Sequence, residues 1–128
     1  MRYKLIEWGV YGDTLENILV DLIAEKFLDE ERFARSYAGG KFRIKKWGRQ
    51  RIQQELKRRQ ISAYCLRKAM EEIPDDDYWN TLTDVLTKYL DTLRESDPYK
   101  RKQKTISHGV RRGYEIPLIL EVWNSLET

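Results

Sequence analysis

The sequence predicts an all-α protein built from tandem three-helix repeats that form an elongated molecule. Apolar residues recur at spacings of three and four along the 128 residues, and strand-like alternation is not sustained. One apolar quartet also occurs three times, at offsets of 51 and then 53 residues. The copies are Leu15-Ile18-Leu19-Leu22, Leu66-Ala69-Met70-Ile73 and Ile119-Val122-Trp123-Leu126. Repetition at this period is typical of units that bury their apolar faces against their neighbours.

Composition excludes several classes of protein. Hydrophobic residues make up 41% and charged residues 35%, which is typical of a globular chain rather than a disordered one. Cys65 and His108 are the only residues of their types, which excludes an intramolecular disulfide and a zinc-finger ligand set. No apolar stretch is long enough to cross a membrane, and the N-terminus lacks a signal pattern. We therefore expect a cytoplasmic monomer without a cofactor.

Two helices are predicted in the first third of the chain. Asp13, with Glu16 three residues later, is a start signal for the first helix, and an apolar residue follows a short turn at Trp8-Gly9-Val10. Asp29 can cap a second helix that weakens at the glycines 39 and 40 and ends near residue 47. The predicted buried face of this second helix consists of Phe33, Ala34 and Tyr37.

Three further helices follow. The third runs over residues 49–59 with Ile52 and Leu56 inward, and the fourth begins near Ser62 and is stopped by Pro74. Acidic residues at 75–77 suit the positive end of a helix dipole and start the fifth helix, which we expect to be the longest. Its apolar positions are Trp79, Leu82, Leu86, Tyr89 and Leu93.

The last two helices have clear boundary signals. Asp97 followed by Pro98 predicts a cap and a first helical position, and Gly113 is expected in the C-terminal cap of this sixth helix. Pro117 opens the seventh helix. The repeats then assign residues 1–28 to a remnant of a first three-helix unit, 29–74 to a second and 75–128 to a third.

The net charge of +3 hides a block pattern that indicates a polyanionic partner. Residues 41–70 sum to +10, whereas 71–98 sum to −7. Like charges this dense repel one another, so a purely solvated helix face is the less favoured explanation. Basic residues recur one repeat later. Trp47, among these charges, could stack on a base or lie in the core, and its place between two helices favours the core.

Other chemistry is weakly indicated. A helix-turn-helix DNA-binding protein or transcription regulator is the main alternative, but the quartet helices are not basic on their exposed side, so phosphate contacts or a protein partner are favoured over base reading. His108 has no carboxylate at helical spacing, and residues 75–77 lack the spacing of a calcium loop. Since no phosphate loop, nucleophile elbow or catalytic carboxylate pair is present, we expect no enzyme.

Two stretches resemble the RecX family, bacterial modulators of the RecA recombinase. They are KFLDEERFA at 26–34 and GRQRIQQELKRRQI at 48–61, and residues 101–104 and 111–114 resemble the family's last repeat. The resemblance implies a curved molecule that binds the RecA filament in its helical groove near DNA and suppresses its ATPase, strand-exchange and co-protease activities. Capping, disassembly and competition for DNA all remain possible routes to that suppression.

The surface expected to contact RecA and DNA phosphates is basic and drawn from both repeats. It comprises Lys45, Lys46, Arg49, Arg51, Lys57, Arg58, Arg59, Arg101, Lys102, Lys104, Arg111 and Arg112.

The sequence departs from the family pattern at three places. Gln60 stands where glycine is favoured, and Gly109 stands where leucine is expected and should weaken the sixth helix. We expect the first repeat to begin inside its second helix at Met1, which leaves Leu5, Ile6 and Trp8 without part of their packing, either because the protein lacks that segment or because more chain precedes it.

Overall fold

A computed structural model describes the backbone of residues 12–127 and the side chains of residues 18–127. Over this range the chain is helical with no strand, which confirms the all-α prediction. The helices are α1 Gly12–Lys45, α2 Arg49–Arg58, α3 Ala63–Met70, α4 Asp75–Thr92, α5 Pro98–Arg111 and α6 Ile116–Glu127. The predicted turn at Trp8-Gly9-Val10 and the apolar residues Leu5 and Ile6 lie outside the described residues.

Helix α1 corrects the prediction of two separate helices. It runs unbroken for 34 residues, and Asp29 lies inside it rather than at a cap. The stretch around Asp29 contains no proline or glycine, so nothing removes a backbone hydrogen bond there. The helix also continues through Gly39, which is buried against the guanidinium of Arg43. Consequently α1, and not the 18-residue α4, is the longest helix in the described part of the chain.

The remaining helices begin and end close to the predicted positions. The Ser62 side chain accepts a hydrogen bond from the backbone N–H of Cys65, which caps α3. The Asp97 side chain accepts one from the N–H of Lys100, and Pro98 occupies the first turn of α5. Helix α6 begins at Ile116, one residue before the predicted proline.

The second helix of each repeat is followed by one residue in the left-handed backbone conformation. Gly113 has φ 99° just after α5, and Gln60 has φ 62° just after α2. Only glycine adopts this conformation without a steric cost, so Gln60 is strained where the equivalent Gly113 is not. The predicted glycine cap is therefore confirmed at 113, and its structural counterpart at 60 carries a less suitable residue.

The helices pack within two units, one of α1, α2 and α3 and the other of α4, α5 and α6. Across the described residues, the close helix-to-helix approaches all fall inside one unit or the other. The buried core spans both units and contains Ala34, Ala38, Phe42, Ile52, Leu56, Cys65, Ala69, Ile73, Tyr78, Leu82, Leu86, Tyr114, Ile119 and Val122. Contact between the units therefore depends on connecting segments and a few large side chains.

The three quartets differ in burial. Ala69 and Ile73 are buried in the second copy, as are the first three residues of the third copy. The first copy was expected to be core, yet Leu22 is 40% exposed and Ile18 and Leu19 are only half-buried. Phe33, also predicted to be buried, is 43% exposed. Both expectations were wrong because only the C-terminal part of α1 reaches the core, through Ala34, Ala38 and Phe42.

Gly109 has a packing role that the sequence did not reveal. A Cβ at this buried position would lie 2.7 Å from Cδ1 of Ile119, well inside van der Waals contact. Helix α5 is continuous through the glycine. The glycine therefore does not interrupt the helix, and the missing side chain allows α5 to approach α6 closely.

An ion-pair cluster joins α1 to the end of α3. The guanidinium of Arg35 contacts the carboxylates of Glu31, Glu71 and Glu72 at 3.2, 2.9 and 3.1 Å. Hydrogen bonds to Glu72 and Glu31 raise the pKa of Arg35 further above its already high value. This cluster holds the first and last helices of the unit together at the surface.

Candidate partner-binding surface

The two units meet where the start of α2 approaches the turn after α5. The backbone N–H of Gly48 donates to the carbonyl oxygen of Arg112 at 2.7 Å, and that of Gln50 donates to the carbonyl of Gly113 at 3.0 Å. A Cβ at Gly48 would lie 2.3 Å from the carbonyl carbon of Gly113. The backbones can approach this closely only because both positions lack a side chain.

Tyr78 lies at the centre of this inter-repeat joint. Its hydroxyl accepts a hydrogen bond from the backbone N–H of Arg49 at 2.9 Å and donates one to the carboxylate of Glu115. Its ring stacks on that of Tyr114 with the centroids 5.0 Å apart. Burial and the hydrogen bond to Glu115 both raise the pKa of Tyr78 well above its usual value. The hydroxyl therefore stays protonated and can donate.

Two of the predicted binding residues serve the joint itself. Arg49 donates from Nη2 to Asp75 at 2.7 Å and to the carbonyl of Ile73 at 3.1 Å, with its guanidinium 4.1 Å from the Tyr78 ring centroid. Arg112 donates from Nη2 to the carbonyl oxygen of Lys45 at 2.7 Å. These contacts fix the two repeats relative to each other and leave both guanidiniums partly engaged.

Cations lie against aromatic rings from the C-terminal half of α1, through the connection at Trp47, to Arg59 just after α2. Arg59 lies 5.0 Å from the Tyr37 ring centroid, and Lys41 lies 5.5 Å from the same ring. The ring centroid of Trp47 lies 4.9 Å from Nζ of Lys41 and 4.1 Å from Cζ of Arg51. We call this arrangement the cation–aromatic ladder. Each contact is favourable because the ring face is electron-rich, and it holds these charges on one side of the repeat.

Trp47 confirms the preference for core packing only in part. The side chain is half-buried and packs against the core, while its ring carries the two cations of the ladder. The sequence left base stacking and core packing open for Trp47 and favoured the core, and the partial burial of the side chain agrees with that preference.

The third repeat contributes basic residues along α5. Lys104 pairs with Glu95 at 2.7 Å, an interaction that raises the pKa of Lys104 and lowers that of Glu95. Arg101 makes a long contact, 3.5 Å, to the carbonyl of Glu95. Lys102 and Arg111 form no ion pair with any described residue. The third repeat therefore presents unpaired cations on this helix, among them Lys102 and Arg111.

The second repeat presents more exposed charge. Lys45, Lys46, Lys57, Arg58 and Arg59 are exposed. The first three form no ion pair within the described range, and Arg58 makes only a surface pair with Glu55 at 3.3 Å. Surface pairs of this kind contribute little free energy and are readily exchanged for other partners. Both repeats thus carry cations available to a polyanion.

His108 and Cys65, the single residues of their types, both pack against other side chains. His108 stacks on Tyr89 with centroids 4.2 Å apart, and burial and then the charges of Arg112 and Arg111 lower its pKa. Cys65 is fully buried in the core.

Among the described residues no cluster of three or more metal-ligating side chains occurs. In the same range, no helix combines the length and apolarity needed to cross a bilayer.

The sequence missed two residues that organise the surface. Tyr78 lies four residues before Leu82, at helical spacing, but the predicted apolar stripe of α4 began at its neighbour Trp79. Lys88 is one of only two cations in the acidic block 71–98, although in the structure it lines the same cleft as Lys46 and Arg112. Only the fold brings these charges together.

Comparison with known proteins identifies two domains. Residues 29–70 match the model of the RecX second three-helix domain, and residues 75–123 match that of the RecX third three-helix domain. No solved structure matches the chain at a significant level.

Curated relatives carry the same family name. A regulatory protein RecX from Clostridium perfringens is 30% identical over 117 residues, covering 90% of this chain and 54% of the relative. One from Prosthecochloris aestuarii is 27% identical over all 128 residues and 82% of its own length, and one from Salmonella typhimurium is 29% identical over 116 residues and 67% of its length. The chain spans about half the length of the Clostridium relatives. With two domain models covering most of its length, this chain belongs to the RecX family of regulatory proteins.

Proposed function

We propose that this chain binds the RecA nucleoprotein filament and negatively modulates its recombinase, ATPase and co-protease activities. It would act in the cytoplasm as a monomer, without a cofactor. Membership of a family of regulatory proteins supports this role over an enzymatic one. The observation that carries the proposal is the presence of exposed, unpaired cations on both repeats.

The charges fit a nucleoprotein groove for an electrostatic reason. A filament groove offers DNA phosphates and acidic side chains in line, and a basic surface is attracted to both. The joint at Tyr78 and Gly48 holds the cations of one repeat in a set position relative to those of the other. Binding of this kind would contact phosphates without regard to DNA sequence.

The predicted surface divides into two groups by what its side chains already contact. Arg49 and Arg112 hold the joint, and Lys104 is paired with Glu95. We propose that direct contacts to RecA or DNA come mainly from the remaining, more available cations. These are Lys45, Lys46, Arg51, Lys57, Arg58, Arg59, Arg101, Lys102 and Arg111.

The test is suppression of the DNA-dependent ATPase of RecA by the parent chain and by a triple variant, Arg58→Glu, Arg59→Glu and Arg111→Glu. Circular dichroism first checks that helicity is unchanged. We expect the variant to need about tenfold or more protein for equal suppression, because each lost phosphate contact weakens binding. Each lost contact should also lower the slope of binding against salt by about one.

A matched control carries the same charge change elsewhere, as Lys26→Glu, Arg94→Glu and Lys100→Glu. These three side chains are exposed and lie outside the predicted surface. The control should suppress like the parent. Equal suppression by both variants would show that total charge or another surface acts, and absence of suppression by the parent would contradict the proposal.

The alternative, a helix-turn-helix DNA-binding protein that acts without RecA, makes a different prediction. It requires sequence-specific DNA binding that survives moderate salt. The measurement is binding of the chain to DNA duplexes of random sequence, without RecA, across a salt series. Affinity for particular sequences that persists at moderate salt would favour the alternative.

A further inference from the structure

A cleft lies between α4 and α5, close to the inter-repeat joint. Its volume is about 420 Å³, within the usual range for a small-ligand pocket. One wall comes from α4, the opposite wall comes from the end of α5, and Lys46 closes it from the connection between α1 and α2. Both repeats therefore contribute to one cavity.

Positive charge converges on this cleft from three separate segments. Lys46, Lys88 and Arg112 line it. The ammonium groups of Lys46 and Lys88 form no ion pair with any described residue. Arg112 donates from Nη2 to a backbone carbonyl, which leaves its charge uncompensated, and its Nε is buried without a hydrogen-bond partner in the described part of the chain. Because three cations that form no ion pair with a described residue line one cleft, and the Nε of Arg112 is a buried donor without an acceptor, an anion here is favoured.

The other lining groups suit an oxyanion with several acceptor oxygens. Thr81 contributes a hydroxyl donor to the lining and His108 supplies an imidazole, whereas the hydroxyl of Thr92 already donates to the carbonyl oxygen of Tyr89. Asp84 is the one acidic side chain among the lining residues, so the three cations leave a net charge of about +2 with neutral histidine. Phosphate groups combine multiple acceptors with charge and match this donor set.

We infer that the cleft lined by Lys46, Lys88 and Arg112 is a binding site for a phosphate group. The inference deepens the proposed function, on which it rests, because Lys46 and Arg112 belong to the predicted surface and the cleft is where the basic segments of the two repeats meet. The phosphate could come from a nucleic-acid backbone or from a free nucleotide. Lys88, which the sequence did not single out, becomes a binding residue.

The single histidine of the chain is the reporter for this site. Charged or titratable groups surround the His108 ring. Arg111 and Arg112 lie at the end of its own helix, Asp84, Lys88 and Tyr89 lie on α4, and Lys46 lies between α1 and α2. A bound phosphate counters the positive field around the ring. Inorganic phosphate should therefore raise the pKa of His108 by about one pH unit in an NMR titration, relative to chloride at equal ionic strength.

Three variants test which side chains hold the anion. Lys88→Gln should weaken phosphate binding about threefold to fivefold, as expected for one partly exposed cation. Asp84→Asn should tighten it, because a repelling charge is removed. Lys100→Gln, an exposed lysine outside the cleft, is the matched control and should change affinity by less than about 1.5-fold. Equal responses to phosphate and chloride, or equal affinities for all variants, would overturn the site.

Two further probes identify the source of the phosphate. Unphosphorylated dithymidine carries one backbone diester and no terminal phosphate, whereas adenosine monophosphate carries a terminal one. A response to dithymidine identifies a backbone site, and a response to the mononucleotide alone identifies a nucleotide site. Both outcomes support phosphate binding.

The outcome is separable from that of the proposed function. If the parent suppresses the ATPase of RecA but phosphate leaves His108 unchanged, the cleft inference fails and the regulatory proposal stands. If phosphate binds as described and no suppression occurs, the regulatory proposal fails and the site stands.

Discussion

Gly48 and Gly113 are 65 residues apart in sequence, yet a Cβ on the first would lie 2.3 Å from the carbonyl carbon of the second. The two turns therefore meet backbone against backbone at the joint between the two repeats. The φ of Gly48 is −77°, a conformation that any residue adopts, so the requirement for glycine there is steric and depends entirely on the partner repeat.

Gly48→Ala should lower the free energy of unfolding by about 1 to 3 kcal/mol, because the methyl group must push the two turns apart. Gly40→Ala is the matched control. A Cβ at Gly40 meets nothing within 4 Å, and alanine favours helix, so this variant should be neutral or slightly stabilising. Denaturant unfolding of both variants measures the difference. Equal stabilities would contradict the close contact.

Tyr78→Phe should destabilise the chain by about 1 to 3 kcal/mol, since it leaves the N–H of Arg49 and the carboxylate of Glu115 without their buried partner. The ring stays in place, so packing is preserved. Tyr99→Phe, at an exposed tyrosine, is the control and should have little effect. Thermal melts that rank the two variants equally would remove Tyr78 from the centre of the joint.

Gln60→Gly should stabilise the protein by about 1 kcal/mol, because glycine adopts φ 62° without the steric cost that a side chain incurs. Gln60→Ala keeps that cost and should be close to neutral. Chemical denaturation of the pair is the measurement. A loss of stability in the glycine variant would mean that the Gln60 side chain makes a contact worth more than the strain.

Leu56→Ala should cost about 2 to 5 kcal/mol, the usual range for a fully buried leucine. Leu66→Ala should cost less, because Leu66 is only half-buried at the edge of the core. Arg58→Ala, at the surface, should change stability by less than about 0.5 kcal/mol. The order of the three melting temperatures tests the assignment of buried and exposed faces.

His108 should make stability depend on pH near neutrality. Its pKa in the folded protein lies below the ordinary value of 6.5, so the unfolded chain binds the proton more readily. Stability should therefore be highest above that value and fall as the pH drops from about 7.5 to about 6 in phosphate-free buffer. His108→Gln should flatten this slope. An unchanged slope would assign the effect to other groups.

Local signals in the sequence determined much of the secondary structure. Ser62, Asp97 with Pro98, and Gly113 act on backbone within three or four residues, so helix boundaries could be predicted from neighbours alone. The same holds for the repeat itself and for the sorting of charge into blocks. These features led to the fold class and to the basic surface as a prediction.

Tertiary structure decided what local signals could not. The Asp29 cap was not used because α1 packs as one continuous helix, and Ile18, Leu19 and Leu22 of the first apolar quartet lie away from the core that α1 joins further along. The joint of Gly48 with Gly113, and the cleft that brings Lys88 to Lys46 and Arg112, depend on residues far apart in sequence. Periodicity describes one helix at a time, whereas these contacts depend on how two repeats are placed in space.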